Sequence, residues 1–368
     1  MSLRERLSSL FYRRIHSLPS TPRPELKENV RLFLAELPKS EIHFHFEGAL
    51  SVDVICQLGF KYQVKHIRTR SDAEWCLFFS NARQFFEQFL TVSSLLREEE
   101  DFYIAALDLG RRLNAENIRY IEITLAPHKF VRAGVPYPVL INAIDRGLLD
   151  SLDERGREHQ FIIDIVRDLG PEIGLETIRM IEQHPHERVV AVGLGGSELY
   201  PASASKENFQ YAETIGLKKT AHAGEGRGPR SIWETLKELG VNRIDHGVRA
   251  REDPGLVEYL AEHQIALNLC PSSNVMLGVV PSLEEHPVYD YYKNKIPVNI
   301  STDDPSFFKT TLTEELEKMI AYQGFSLQDI PRLITNSLQA SFLDPVRKEQ
   351  LMRKFRAETE QLRNRYSS

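Results

Sequence analysis

Two histidines, His43 and His45, stand two residues apart in EIHFHF (41–46). On an extended chain that spacing turns both side chains to one face, where they can hold a single metal ion. An HxH pair by itself is common, and the chain has a second one, His184-Pro-His186, in a polar stretch that reads as solvent-exposed. The first pair is distinguished by its company. His222 closes the run KKTAHAG (218–224), His246 closes RIDHG (243–247), and Asp303 with Asp304 closes PVNISTDDP (297–305). Three imidazoles and a carboxylate suit zinc better than magnesium or calcium, which favour oxygen shells. One zinc ion is expected, because a second needs a bridging carboxylate or modified lysine where the fourth run instead ends in Gly195-Gly196. An ion there lowers the pKa of water and supplies hydroxide at neutral pH. Glu225, three residues after His222 in HAGEG, reaches the site without being a ligand, and burial would fit its carboxyl for general acid work. His246 and Asp304 are left as base, oxyanion partner or substrate hydrogen-bonding group. Asp304-Pro305 also reads as a turn or helix cap. The backbone at Gly196 is open to a flat ligand approaching closely.

These residues sit at the ends of short apolar or β-branched runs. The others are IRYIEITLAP (118–127), QFIIDIVRD (160–168), VVAVGLGG (189–196) and IALNLCPSSN (265–274), which makes eight candidate strands. Stretches such as SIWETLKELG, DPGLVEYLAEHQ and PVLINAIDRGLLDSL separate them, with apolar residues every three or four positions. The alternation predicts an α/β fold of parallel strands with helical crossovers, most simply a closed (β/α)8 TIM barrel over residues 37–368, with an open doubly wound sheet as runner-up. In a barrel the C-terminal strand ends face one shared site. A helical insertion follows the first strand. Its Phe78, Phe79, Phe85, Phe86 and Phe89 read as core packing, or as a pocket wall if the insertion caps the barrel mouth. Residues 1–36 stand apart as an N-terminal extension, a short amphipathic helix over the first 18 residues and then a Ser/Pro-rich loop, expected to dock on the main body.

The 46 Lys plus Arg against 52 Asp plus Glu leave a net charge of −6, which argues against nucleic acid as a partner. No run of 18 apolar residues suggests a membrane span, and the N-terminus lacks the pattern of a secretory signal. Three cysteines without a CxxC pair suggest neither a disulfide framework nor a cysteine zinc cage, so a cytoplasmic location is expected. Oligomeric state is not legible.

The segments LPKSEIHFHFEGAL, YIEITLAP, TAHAGEG, RIDHGV, LNLCPSSNVMLG, PSLEEHP and ISTDDP, in this order over roughly residues 37–345, resemble the adenosine and adenine deaminases of the amidohydrolase superfamily. The resemblance implies a barrel holding one zinc and hydrolytic deamination of a 6-aminopurine, adenosine or a related adenine nucleoside, to the 6-oxopurine and ammonia. The alternatives are adenine, aminodeoxyfutalosine, or the substrate of another mononuclear amidohydrolase. It makes His43, His45, His222 and Asp303 the ligands, and Glu225 the donor to the purine ring nitrogen. By the same resemblance His246 orients and helps deprotonate the water, Asp304 hydrogen-bonds the imidazole ring of the purine, and Gly196 offers a backbone contact to the other ring edge. Glu47 stands where adenosine enzymes usually carry an Asp that touches the ribose. Glu there also occurs in adenine-specific members and in those acting on aminodeoxyfutalosine, and the longer side chain is expected to reach farther into the pocket. GLGGSE (193–198) replaces a DLAGDE-like segment, placing Ser197 where an acid is common.

Overall fold

A computed structural model describes residues 26–366. All eight expected strands form: β1 (Lys39–Glu41), β2 (Ile118–Leu125), β3 (Glu158–Val166), β4 (Val189–Gly195), β5 (Lys218–Ala223), β6 (Arg243–His246), β7 (Ala266–Leu269) and β8 (Val298–Ile300). They pair in sequence order, every pair parallel, in one eight-stranded sheet. The sheet closes just beyond β8 and β1, where Phe44 bridges Asp303 and His45 N–H donates to Asp303 O at 2.9 Å. The result is a (β/α)8 barrel. Strands covered on both faces read as near-continuous apolar runs, as β2 and β4 do. β7 is shorter than its apolar run because Pro271 opens a helix at once, and proline at a first helical position costs no hydrogen bond; β8 ends at Ile300, before the chain turns at Asp303 with φ of 65°.

Three helices bear on the barrel's ends and rim: α1 (Glu28–Glu36), α2 (Ala82–Ser93) and α3 (Pro345–Tyr366). The helix expected over the first 18 residues lies outside the described residues. Within the stretch set apart by composition, α1 packs on the end of α3, with Phe33 edge-on to Tyr366 at 6.4 Å and Tyr366 OH donating to Glu36 at 2.7 Å. α2 belongs to the insertion between β1 and β2, and starts at Asn81, whose side chain accepts from Gln84 N–H. Phe79 and Phe85 are buried and meet Phe307 and Phe308 at 5.3–6.5 Å, just after Asp304-Pro305. Phe79 and Phe85 are therefore core and fix the insertion against the barrel rim, while Phe78 and Phe89 are partly buried. Phe86 points outward, half exposed. Among the described residues no helix is long and apolar enough to cross a membrane.

A buried ion pair sits inside the barrel. Arg243 at the start of β6 is fully buried, paired to Glu122 of β2 at 2.5 Å and donating to Ala340 O and Ile42 O. Glu122 also accepts from Tyr120 OH at 2.6 Å and Phe342 N–H at 2.5 Å. Removing one member of such a pair leaves an uncompensated buried charge. Glu122→Ala is therefore expected to lower the unfolding free energy by about 3–5 kcal/mol, measured by urea denaturation, and a loss under ~1 kcal/mol would overturn this reading.

Candidate active site

β1 ends at Glu41, two residues before the first histidine of the pair, but extended pairing continues: Thr124 N–H donates to Phe44 O at 2.7 Å and Phe46 N–H to Thr124 O at 2.9 Å. His43 and His45 thus both face the barrel axis above β1. His222 lies on β5, and Asp303 beyond β8. One donor atom from each of these four residues falls within 4.8 Å of the others. His45 Nε2 is 3.3 Å from His222 Nε2, and Asp303 Oδ1 is 3.3 Å from His43 Nε2 and 3.4 Å from His45 Nε2.

The ring orientations follow from the outer nitrogens. His43 Nδ1 meets Asp245 Oδ1 at 3.3 Å, and His222 Nδ1 meets Leu194 O at 3.1 Å, so both turn Nε2 to the centre. His43 Nε2 is buried there without a hydrogen bond. Burial pushes the His45 imidazole down to about 4, and burial together with His43 lowers His222, leaving both rings neutral with lone pairs to offer. Burial opposes ionisation of Asp303, but His43, His246 and His45 outweigh it and hold the carboxyl well below the usual range. The bare nitrogens of His45 and His222 beside the Asp303 carboxylate, with His43 Nε2 turned to the same centre, fit a borderline metal ion. A second grouping would exchange His45 and His222 for His246 and Cys270. It fits less well, because burial pushes the Cys270 thiol up and keeps it protonated.

Glu225 stands beside the cluster, with Oε2 at 3.7 Å from His246 Nε2. Burial raises its carboxyl above the ordinary range. The loop carrying it is tied down by Glu198, which accepts from the N–H groups of Gly224, Glu225 and Gly226 at 2.7–2.9 Å and from Ser231. Asp304 occupies a helix N-cap position, yet its side chain makes no capping bond and Oδ1 is buried and unpartnered. The side chain therefore does not cap the helix, and Oδ1 is left without a partner. Space for it comes from Gly48, where any Cβ would collide with Asp304 Oδ1. Glu47 is buried. Its Oε1 accepts from Ala126 N–H at 3.0 Å and lies 3.5 Å from Lys129 Nζ. Gly196 has φ of 88°, and a Cβ there would meet Asp168, which holds Ser197 N–H at 2.7 Å.

Of the remaining pair, His184 is exposed as expected. His186 is half-buried, 3.7 Å from Asp145, which also binds His159 at 2.6 Å and Arg188 at 2.9 Å. An acid on a neighbouring helix captures it, which no local pattern foretells. Sequence reading also passed over Asp245, Asn274, His286, Glu198 and Asp164. Asp245 could have been found, since an acid inside RIDHG falls on a strand that is otherwise buried. Asp164, in the middle of QFIIDIVRD, fills the space left by Gly193 and Gly195, and burial raises its carboxyl well above the usual range.

Fold and site together define a (β/α)8 hydrolase whose strand ends can hold a metal ion. The chain belongs to the adenosine deaminase family, whose pattern it matches over residues 38–358, and it is a hydrolase acting on C–N bonds. It is 32% identical over 323 residues to aminodeoxyfutalosine deaminase of Streptomyces avermitilis, covering 87% of this chain and 90% of that protein. It is 34% identical over 324 residues to adenine deaminase of Crocosphaera subtropica, covering 88% and 99%. The crystal structure of adenine deaminase from Arthrobacter aurescens superposes with a TM-score of 0.83 at 28% identity, over 88% of this chain and 99% of that one.

Because Asp245 fixes the His43 ring, Asp245→Asn is expected to weaken metal binding by about 10–100-fold, read by competition with a chelator. Unchanged affinity would show that the ring is held by packing alone.

Proposed function

We propose that the protein catalyses zinc-dependent hydrolytic deamination of a 6-aminopurine, adenine or an adenine nucleoside such as aminodeoxyfutalosine, releasing ammonia and the 6-oxopurine. The observation that carries this reading is the half-buried Glu225 carboxyl, 3.7 Å from His246 Nε2 and pushed above its ordinary range by desolvation, beside a cluster of three imidazoles and a carboxylate. His43, His45, His222 and Asp303 are assigned as zinc ligands. The ion when bound supplies Lewis acidity that lets water lose a proton near neutral pH.

The remaining work falls to side chains. Glu225 delivers its proton to the purine ring nitrogen next to C6, so that the ring can accept electrons as the C–O bond forms. His246 orients the attacking water from the far side of the cluster. The free Oδ1 of Asp304 addresses the five-membered ring of the purine, and the Gly196 backbone the opposite edge. As the C6–N bond breaks, the amino group takes up the hydroxyl proton carried in with the water, C6=O forms and ammonia leaves, while the first proton shed by the water restores the Glu225 carboxyl. Adenosine, the substrate put first on sequence grounds, gives way here to adenine and aminodeoxyfutalosine, the substrates named for the two relatives.

Glu225→Gln is expected to retain the metal and lose at least ~10²-fold in turnover; near-normal ammonia release would overturn the assignment. Substrate choice is tested by ammonia release from adenine, adenosine, 2′-deoxyadenosine, AMP and aminodeoxyfutalosine, before and after chelation. Adenine or aminodeoxyfutalosine should lead by at least ~10-fold in kcat/KM, with activity lost on chelation and restored by zinc. A silent panel with zinc bound would reject the substrate class, and turnover surviving metal removal would reject the zinc.

A further inference from the structure

Between the two candidate catalytic side chains lies an amide to which the proposed reaction gives no role. Asn274, in the helix Pro271–Met276 that follows β7, is fully buried. Its Nδ2 lies 3.3 Å from His246 Nδ1 and 3.5 Å from Glu225 Oε1, and its Oδ1 lies 3.1 Å from His286 Nε2. Which end of an amide faces which neighbour has to be settled from the whole hydrogen-bond network.

The network settles it from the outside inward. Val288 N–H donates to His286 Nδ1 at 3.3 Å, so that ring nitrogen is the acceptor. Burial, with Arg251 nearby, pushes the His286 imidazole down to about 3, so the ring is neutral. Its single proton therefore sits on Nε2 and is donated to Asn274 Oδ1. The amide is now oriented, and both Nδ2 hydrogens point the other way, one toward His246 Nδ1 and one toward Glu225 Oε1. A ring nitrogen that receives a hydrogen bond is the bare one. With Nδ1 the bare nitrogen, the ring proton of His246 sits on Nε2, the nitrogen 3.7 Å from Glu225 Oε2 and 4.0 Å from Asp303 Oδ2.

We propose that Asn274, oriented by His286, is a positioning residue that fixes the His246 proton on Nε2 and holds the Glu225 carboxyl beside it. His246 then meets the centre of the site as a hydrogen-bond donor. The water-deprotonating role that the family resemblance implies would need a bare Nε2, the opposite tautomer. The backbone geometry supports a fixed amide: His246 takes φ of 66°, and Asn274 O is itself pinned by Val279 N–H at 2.8 Å.

The test joins a spectrum to kinetics, the kinetic arm resting on the proposed deaminase function. In the zinc-loaded full chain, long-range nitrogen–proton correlation of the histidine rings distinguishes the tautomers, with His246 assigned by its absence in His246→Gln. The wild type is expected to show Nε2–H, and Asn274→Leu to lose that preference while kcat falls ~10²-fold, KM moves less than ~3-fold and metal content is unchanged. His286→Gln, whose amide can still donate to Asn274 Oδ1, should keep most of the rate, and His286→Leu should not. An Nδ1–H tautomer in the wild type, or Asn274→Leu with kcat within ~3-fold, overturns the proposal. If Asn274→Leu does not fold, the wild-type spectrum and the His286 pair decide. Wild-type silence toward every aminopurine would overturn the proposed function while the spectrum still tests the tautomer.

Discussion

Burying the carboxylate of Asp245 against the imidazole of His43 is the interaction on which the upper half of the barrel depends. An ionised carboxylate removed from water has to be paired and fully hydrogen-bonded, or it costs several kcal/mol. Asp245 meets that demand by recruiting its neighbours: Thr220 Oγ1 from β5 at 2.8 Å, Asn268 Nδ2 from β7 at 2.6 Å and His43 from above β1. Asn299 of β8 in turn holds Asn268 at 2.7 Å. Burial alone would raise the Asp245 carboxyl, but His43 overrides it and keeps the group far below the usual range. The network that satisfies one charge therefore ties together the strands that carry the candidate ligands, and aims His43 Nε2 at their centre.

The strand ends bring a second constraint. Adjacent residues on a regular strand point to opposite faces, so Asp303 and Asp304 could not both address one site if β8 continued through them. Asp303 instead takes φ of 65° and His246 φ of 66°, left-handed conformations that cost a side chain about 1–2 kcal/mol each. Such departures persist only where the surroundings over-determine them, and they cluster at functional sites. Here Asp303 is held by barrel closure through His45 N–H and by Ser273 Oγ at 2.7 Å, and the turn frees Asp304 to face the same space.

Much of this was legible in the sequence. Runs buried on both faces announce themselves, so the eight strands and the barrel could be read directly, and the histidines and acids were visible because they interrupt apolar strand ends. What could not be read depends on contacts between distant segments. His186 looked like a solvent residue because Asp145 lies about forty positions away and only the fold brings it near. Glu198 sits two residues beyond the glycines, but its work is to accept three backbone N–H groups of another loop, and backbone donors leave no mark on a sequence. The pairing of Asn274 with His286 is hidden for the same reason: each lies in a motif, but the bond between motifs depends on how two loops pack. Strand ends were over-read by a few residues wherever β-branched character ran on into a proline-initiated turn.

The pocket wall around Glu47 bears on why one architecture could accept both a free base and a nucleoside. Oε1 is taken by Ala126 N–H and lies near Lys129, whose ammonium rests 4.8 Å from the ring centres of both Phe89 and Phe130. Cation and aromatic faces hold Lys129, Lys129 helps hold Oε1, and the direction of Oε2 follows. On the proposed reading Oε2 lies toward the part of the purine where a sugar is attached, and there the two kinds of substrate offer the same thing: adenine a ring N–H, a nucleoside a hydroxyl. An oriented acceptor discriminates by distance rather than by group type, so the reach of Glu47, one methylene longer than aspartate, sets which donor it meets. Because Oε1 is anchored to backbone, that reach cannot relax when the ligand changes, and selectivity between base and nucleoside then rests on where the donor lies relative to a fixed oxygen.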